Sequence, residues 1–338
     1  MTDNMDIVYV SLEAVVAVLC CLGNLLAIWA VWTSGSLRHP TFCFVASLAG
    51  ADFLVGILGI PLTVLVDGKV ITSFHGCLFL CCSLNMLNQA SVLLLLAIAV
   101  DRHLRVKIPL RYKRSVTQKR SGAAVALCWL LAFVLGFPPM FGWYNRQTLS
   151  EMESSNATTL VCRFVNVIPL SFLAYFQFFG CILLPLLVMW GLYAHLFYTI
   201  SKRLQKSQST CSQSHAYYAK ERKLAKSLVL VLVLFAMGWL PLCLINSVLA
   251  FGVHVPLVVI YVGVFLTQAN SAINPIVYAF KVPKLRKAYL QAWRKCTPCC
   301  QREVAQSTES KESSSAVRNN RVAKSTEDSC DKLDYSET

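Results

Sequence analysis

Polar residues along this chain are gathered into short clusters separated by long apolar runs. Taking the clusters as boundaries gives apolar spans at 8–32, 41–66, 77–100, 121–143, 170–199, 227–251 and 257–280. Not one Asp, Glu, Lys or Arg lies between Lys226 and Lys281. That stretch is too long for one crossing, and Gly252-Val253-His254-Val255-Pro256 supplies the breaker that divides it. A bilayer's hydrocarbon core takes about 20 apolar residues per helical crossing. The runs lack strand-like alternation, so helices are expected, not a barrel. The fold class predicted is an all-α integral membrane protein, a seven-transmembrane helix bundle. No internal repeat of the transporter kind is evident.

Composition agrees. The chain is 56% hydrophobic and 14% charged, whereas soluble globular chains carry roughly 25% charged residues. Charge also sets direction. With seven crossings, successive segments on one face hold one, eight, seven, six and six Lys or Arg residues, 28 of the 31. The other face has Lys69, Arg146 and Arg163. The positive-inside bias makes the basic face cytoplasmic and the amino terminus extracellular. The +14 formal charge is therefore a topology signal whose nearest partner is anionic membrane lipid. No nucleic-acid motif accompanies it. Met1-Thr2-Asp3-Asn4 has no positive n-region, so no cleaved signal is expected. Asn156-Ala157-Thr158 is an N-glycosylation sequon in an outer loop, consistent with this topology.

The expected organisation is an extracellular terminus at 1–7, the seven-helix domain at 8–280, an amphipathic juxtamembrane helix at 281–300 and a disordered cytoplasmic tail at 301–338. In the juxtamembrane segment Val282, Leu285, Tyr289 and Trp293 recur at helical spacing. Cys296, Cys299 and Cys300 close it and suit palmitoylation. Zinc is the weaker reading there, because a CxxC pair needs further ligands. Most of the 15 cysteines lie within spans, where a free thiol behaves as a small hydrophobe. Cys77 and Cys162 sit near the oxidising outer face. They are expected to be bonded, pinning an outer loop over the bundle; two free thiols are the alternative.

Ionisable residues within membrane spans are costly and usually functional. Here they are Glu13, Asp52 and, at the inner margin, Asp101. Asn24, Ser91, Asn270, Ser271 and Asn274 lie at the depth of Asp52. Two readings stand level: groups that solvate an ionised carboxylate or a small monovalent cation, or an interhelical hydrogen-bond cluster that serves packing. An enzyme is not expected. His39, His75, His195, His215 and His254 are scattered among loops and spans, no metal-ligand cluster is apparent, and no nucleophile has an evident base. No cofactor is implied beyond a small monovalent cation.

Gly23-Asn24, Leu48-Ala49-Gly50-Ala51-Asp52, Asp101-Arg102-His103, Trp129, Pro185, Phe235-Ala236-Met237-Gly238-Trp239-Leu240-Pro241 and Asn274-Pro275-Ile276-Val277-Tyr278 fall one set per span. Together they resemble the rhodopsin-like G-protein-coupled receptors, over roughly residues 8–300. His103 departs from the family's usual Tyr. The resemblance implies that Asp101 and Glu221 hold Arg102 in the resting state. Outward movement of the sixth helix would release Arg102 and admit a G protein, with Tyr193 and Tyr278 stabilising the open form. Asp52, Ser91, Asn270 and Asn274 look like the family's sodium pocket. Prolines 185, 241 and 275 permit kinks.

The ligand class narrows by exclusion. Leu84 stands where amine receptors place an acid, and 257–280 has no Schiff-base lysine. Leu96 to Arg102, Arg105 to Lys113, Pro139 to Trp143 and Asn270 to Ala279 are similar to adenosine receptors, especially subtypes 1 and 3, whose usual partner is the inhibitory heterotrimeric G protein. By that resemblance Asn246 pairs with adenine through its carboxamide, which offers a donor and an acceptor together. Phe164 stacks on the purine. Leu242, Leu173 and Val264 line an apolar slot, with Trp239 below the ribose. Asn88 and Gln268 replace the family's Thr and His at the ribose end, so Glu13 lacks its usual His partner. Asn85 replaces an apolar residue. The expected function is a receptor for extracellular adenosine that lowers cyclic AMP. Alternatives are a receptor for a related purine or another small neutral ligand, or, from another class, a transporter.

Overall fold

The computed structural model describes residues 2–33, 40–67, 70–109, 111–112, 116–207 and 212–281. They lie within one compact unit, residues 1–289. The juxtamembrane segment after Lys281, the tail and the candidate palmitoylation cysteines Cys296, Cys299 and Cys300 fall outside the described residues.

Among the described residues, seven helices are long and apolar enough to cross a membrane: Ile7–Thr33, Thr41–Val66, Phe74–Lys107, Gln118–Gly136, Phe172–Gln205, Tyr218–Ala250 and Leu257–Val277. The first packs against the second and seventh, and the sixth against the fifth and seventh. The third packs against the second, fourth and fifth, which makes it the central post. Its inward residues Leu94, Leu95, Ile98 and Ala99 join Leu48, Ile182, Met189, Leu232 and Phe235 in the main core. The outward faces are equally apolar. Leu12, Val15, Leu19 and Leu22 on the first span, and Leu127, Leu130 and Val134 on the fourth, are exposed. Such a surface matches hydrocarbon, which offers no partner to a polar group.

Several span ends differ from the pattern-based expectation, and three of them have a clear local reason. The third helix starts at Phe74, where the Ser73 hydroxyl accepts a hydrogen bond from the Gly76 amide at 3.2 Å. The fourth ends at Gly136 because Pro138 and Pro139 open a 3-10 turn, Pro138–Phe141. The sixth belongs to a helix that begins at Ser212, well before the apolar run. Basic and polar residues in a helix outside the hydrocarbon cost nothing, so hydropathy is blind to that extension.

Prolines shape the helices unequally. Pro241 and Pro275 lie inside continuous helices. Pro185 follows a wide π-helical stretch, Phe172–Leu183, and Pro61 follows another, Val55–Gly59. A proline removes a donor and clashes with the turn before it, and a wider turn relieves both. At Gly136 a Cβ would meet the Met86 backbone at 2.7 Å, so only glycine lets the fourth helix lie this close to the third.

On one end of the bundle a two-stranded antiparallel ladder pairs β1 (Ile71–Thr72) with β2 (Leu160–Val161), in the register Ile71 to Val161 and Thr72 to Leu160. Next to it Cys77 and Cys162 form the expected disulfide, Cα to Cα 5.5 Å. The Cys162 amide also donates to the Val70 carbonyl at 2.8 Å. The loop is thus stitched twice to the head of the third helix. Asn156, exposed, follows the loop helix Arg146–Ser154 with φ +53°, a left-handed conformation that Asn tolerates.

Candidate functional site

Functional side chains lie at three depths along the bundle. At the disulfide end, Phe164 starts a one-turn helix, Phe164–Val167, two residues after Cys162. It packs on the cluster that holds Cys77, Cys162, Leu84 and Leu173. On the sixth helix Trp239, Leu242 and Asn246 are three and four residues apart and so share a face. Trp239 is buried; Leu242 and Asn246 are half-buried. Leu242 meets the seventh helix at Gly263, whose Cβ position is 3.3 Å from the Leu242 Cδ1, beside half-buried Val264.

The polar residues at this depth are arranged differently from the expected ribose contacts. Buried Gln268 donates to the Thr63 hydroxyl at 3.0 Å, tying the seventh helix to the second. Glu13 is completely buried and faces the hydroxyl of Tyr9, one turn earlier. Tyr9 also stacks on Tyr261 of the seventh helix, ring centroids 4.3 Å apart. Between the third and fifth spans Gln177 Nε2 donates to Asn85 Oδ1 at 3.2 Å. Asn85 Nδ2 and Gln177 Oε1 remain buried without partners, one a donor and the other an acceptor. One turn on, Gln89 donates to the Cys181 carbonyl at 3.2 Å, and half-buried Asn88 lies between. Gln177 escaped the sequence reading because nothing marks one Gln on an apolar helix as facing a polar partner.

The middle layer centres on Asp52, fully buried. Its Oδ1 accepts from Ser91 at 3.1 Å and from Ser271 at 2.9 Å, and its Oδ2 accepts from Asn274 Nδ2 at 2.8 Å. Asn24 extends the cluster, donating to the carbonyls of Cys20 at 2.9 Å and Ser271 at 3.0 Å. Asn270, expected in this group, turns its amide to the Phe235 carbonyl of the sixth helix at 3.3 Å, and Ser271 takes the place at Asp52. Asn270 lies so close to Gly238 that a Cβ there would come within 2.7 Å of its Cγ. The oxygens of Asp52, Ser91 and Ser271 converge, and hydroxyls accept as readily as they donate. This donor set fits a small monovalent cation.

At the other end, Arg102 Nη1 and Arg105 Nε both approach the Glu221 carboxylate, at 3.8 and 3.4 Å. This bridges the third helix to the sixth as expected, with Arg105 as an added partner. Asp101 faces Arg102 electrostatically, but its own oxygens accept from Thr41 at 2.7 Å and Tyr112 at 2.6 Å. Burial, then the Asp101 carboxylate, push the Tyr112 phenol above its ordinary pKa, so it stays protonated and keeps donating. Tyr193 is buried within reach of the Arg102 charge. Tyr278 lies in the last helix, its side chain outside the described residues. Arg203 adds a clasp: Nη1 donates to the Tyr218 hydroxyl at 2.7 Å and Nη2 to the Lys107 carbonyl at 3.0 Å.

Comparison with known proteins supplies the family. Residues 23–278 match the family described as 7 transmembrane receptor (rhodopsin family). Adenosine receptor A3 of Ovis aries is 45% identical over 294 residues, covering 87% of this chain and 92% of that protein. Adenosine receptor A3 of Bos taurus is 43% identical with the same coverage. A bundle of seven apolar helices with buried polar groups at three depths, matched across most of its length, is a multi-pass plasma-membrane receptor and not an enzyme: the chain belongs to the rhodopsin family of seven-transmembrane receptors.

Proposed function

We propose that the chain binds extracellular adenosine and activates a heterotrimeric G protein of the inhibitory class, lowering cyclic AMP. The observation that carries this reading is the continuity of one helix. Ser212–Ala250 holds Glu221 of the Arg102 latch and, 25 residues further on, Asn246 of the ligand face, about 37 Å along the axis. A ligand that draws on Asn246, Leu242 and Trp239 acts on the rod whose far end is fastened to Arg102. Only unequal affinity for the fastened and released states makes it an agonist.

The relatives' name supplies the ligand class, and Asn246 the chemistry: one carboxamide matches the donor and acceptor of adenine's edge. Phe164 provides a face for stacking, held in place by the Cys77–Cys162 bond. A sodium ion at Asp52, Ser91 and Ser271 would favour the resting arrangement. The amino terminus lies outside, Asn156 carries glycan, and acyl chains on Cys296, Cys299 or Cys300 anchor the inner segment; the positive-inside distribution and the exposed turn at Asn156 support this orientation.

A second reading, a related purine, is favoured by one observation: the free Asn85 donor and free Gln177 acceptor at the third and fifth spans. A cyclic-AMP assay in transfected cells, comparing adenosine on the intact receptor and on Asn246→Ala, tests the first reading. Displacement of a labelled ligand by adenosine, inosine and adenine separates the two. Displacement by none of them ends the purine assignment.

A further inference from the structure

Among the histidines, the fold brings together two that the sequence keeps far apart. His103 of the third span and His195 of the fifth lie with ring centroids 4.9 Å apart and planes tilted by 53°. The Nδ1 of His103 is buried and has no hydrogen-bond partner. The backbone carbonyl of Leu192 lies against the same ring. A neutral imidazole has one unprotonated nitrogen, and an unpartnered Nδ1 can give its lone pair to a metal. His195 is exposed, with Nδ1 3.4 Å from the Thr199 hydroxyl, so its ring is reachable from outside the bundle.

The spacing suits coordination. With a zinc–nitrogen bond of about 2.0–2.1 Å, a metal sits about 3.2 Å from each ring centre; two imidazoles on a tetrahedral ion then have centroids about 5 Å apart. The observed separation meets this without moving either helix. Stacking is the competing account of the contact, but it leaves the buried lone pair of Nδ1 unused. Lys107 is the positive charge facing His103, and it holds the affinity below that of a structural zinc site.

The geometry points to a divalent-metal site formed by His103 and His195, taking Zn²⁺ or another imidazole-seeking ion, that fastens the third span to the fifth. Water completes the coordination shell. The metal seat lies one residue from Arg102, whose partner Glu221 belongs to the sixth helix, and Arg203 already ties the fifth helix to the Lys107 carbonyl. A metal added here holds these helices in the arrangement where Arg102 is engaged. That consequence rests on the proposed Arg102–Glu221 switch; metal binding itself does not.

The test uses purified full-length receptor, with ZnCl₂ and NiCl₂ as probes. The thermal unfolding midpoint is read with neither agonist nor G protein, and basal guanine-nucleotide exchange is read separately. His103→Tyr restores the family's usual residue, and His195→Ala alters an exposed position, so both variants should fold. Zn²⁺ is expected to raise the wild-type midpoint, and either variant should need at least about tenfold more ion for the same rise. A rise equal in all three proteins, or absent from wild type, overturns the site. A histidine-dependent rise with unchanged exchange overturns the fastening role.

Discussion

The middle and outer layers are built from similar polar residues but differ in how completely those residues are satisfied. Around Asp52 each carboxylate oxygen has a donor, and the donors come from the third and seventh helices; beside them the Asn24 Oδ1 lacks a partner. In the outer layer Asn85 Nδ2 and Gln177 Oε1 are buried without partners. Buried polar groups are nearly always paired, and leaving one unpaired costs about 1–3 kcal/mol. A satisfied cluster serves to hold helices in register. An unsatisfied one is a reason for the protein to take up something that completes it. On the proposed function, the contrast would separate the part of the receptor that stores a state from the part that reads a ligand.

Four variants break or sharpen this contrast. The largest effect is expected from Asn246→Ala, which removes the carboxamide proposed to read adenine. Adenosine potency in the cyclic-AMP assay should fall at least about 100-fold, with surface expression unchanged, because a site built around a hydrogen bond discriminates strongly. Next, if sodium occupies the proposed site, added sodium should lower agonist affinity in competition binding and Asp52→Asn should abolish that fall while leaving ligand recognition largely intact; an equal sodium effect in both proteins would remove Asp52 from any cation site. Third, the double change Asn85→Leu with Gln177→Leu should lower adenosine affinity about tenfold, while the unfolding midpoint stays at or above that of the wild type. A lower midpoint with unaltered affinity would make the pair a packing device. The smallest effect belongs to Glu221→Gln, expected to raise basal nucleotide exchange a few-fold by loosening Arg102 and Arg105.

Most of the membrane spans were legible because hydropathy reports contact with lipid. The Cys77–Cys162 bond followed from compartment, and Asp52 with Ser91 and Asn274 from the cost of burying charge. What the sequence hid was helix phase. Asn270 and Ser271 are adjacent, so about 100° of rotation decides which meets Asp52 and which meets Phe235. The same limit hid Gln177 opposite Asn85, Thr63 beneath Gln268, Thr41 and Tyr112 on Asp101, and His103 beside His195. In each case the partner is on another helix, and composition carries no trace of it.

The wide turns of Phe172–Leu183 end where a tighter winding resumes at Leu184. Each additional residue accommodated in such a coil shifts everything on its outward side around the axis, while Tyr193 and His195 keep their bearing. Leu173 and Gln177 can therefore be re-aimed by a single insertion or deletion, with the transmitting end left as it was. Recognition and output are geared separately within one rod, which lets a lineage of such receptors change what it senses without rebuilding how it answers.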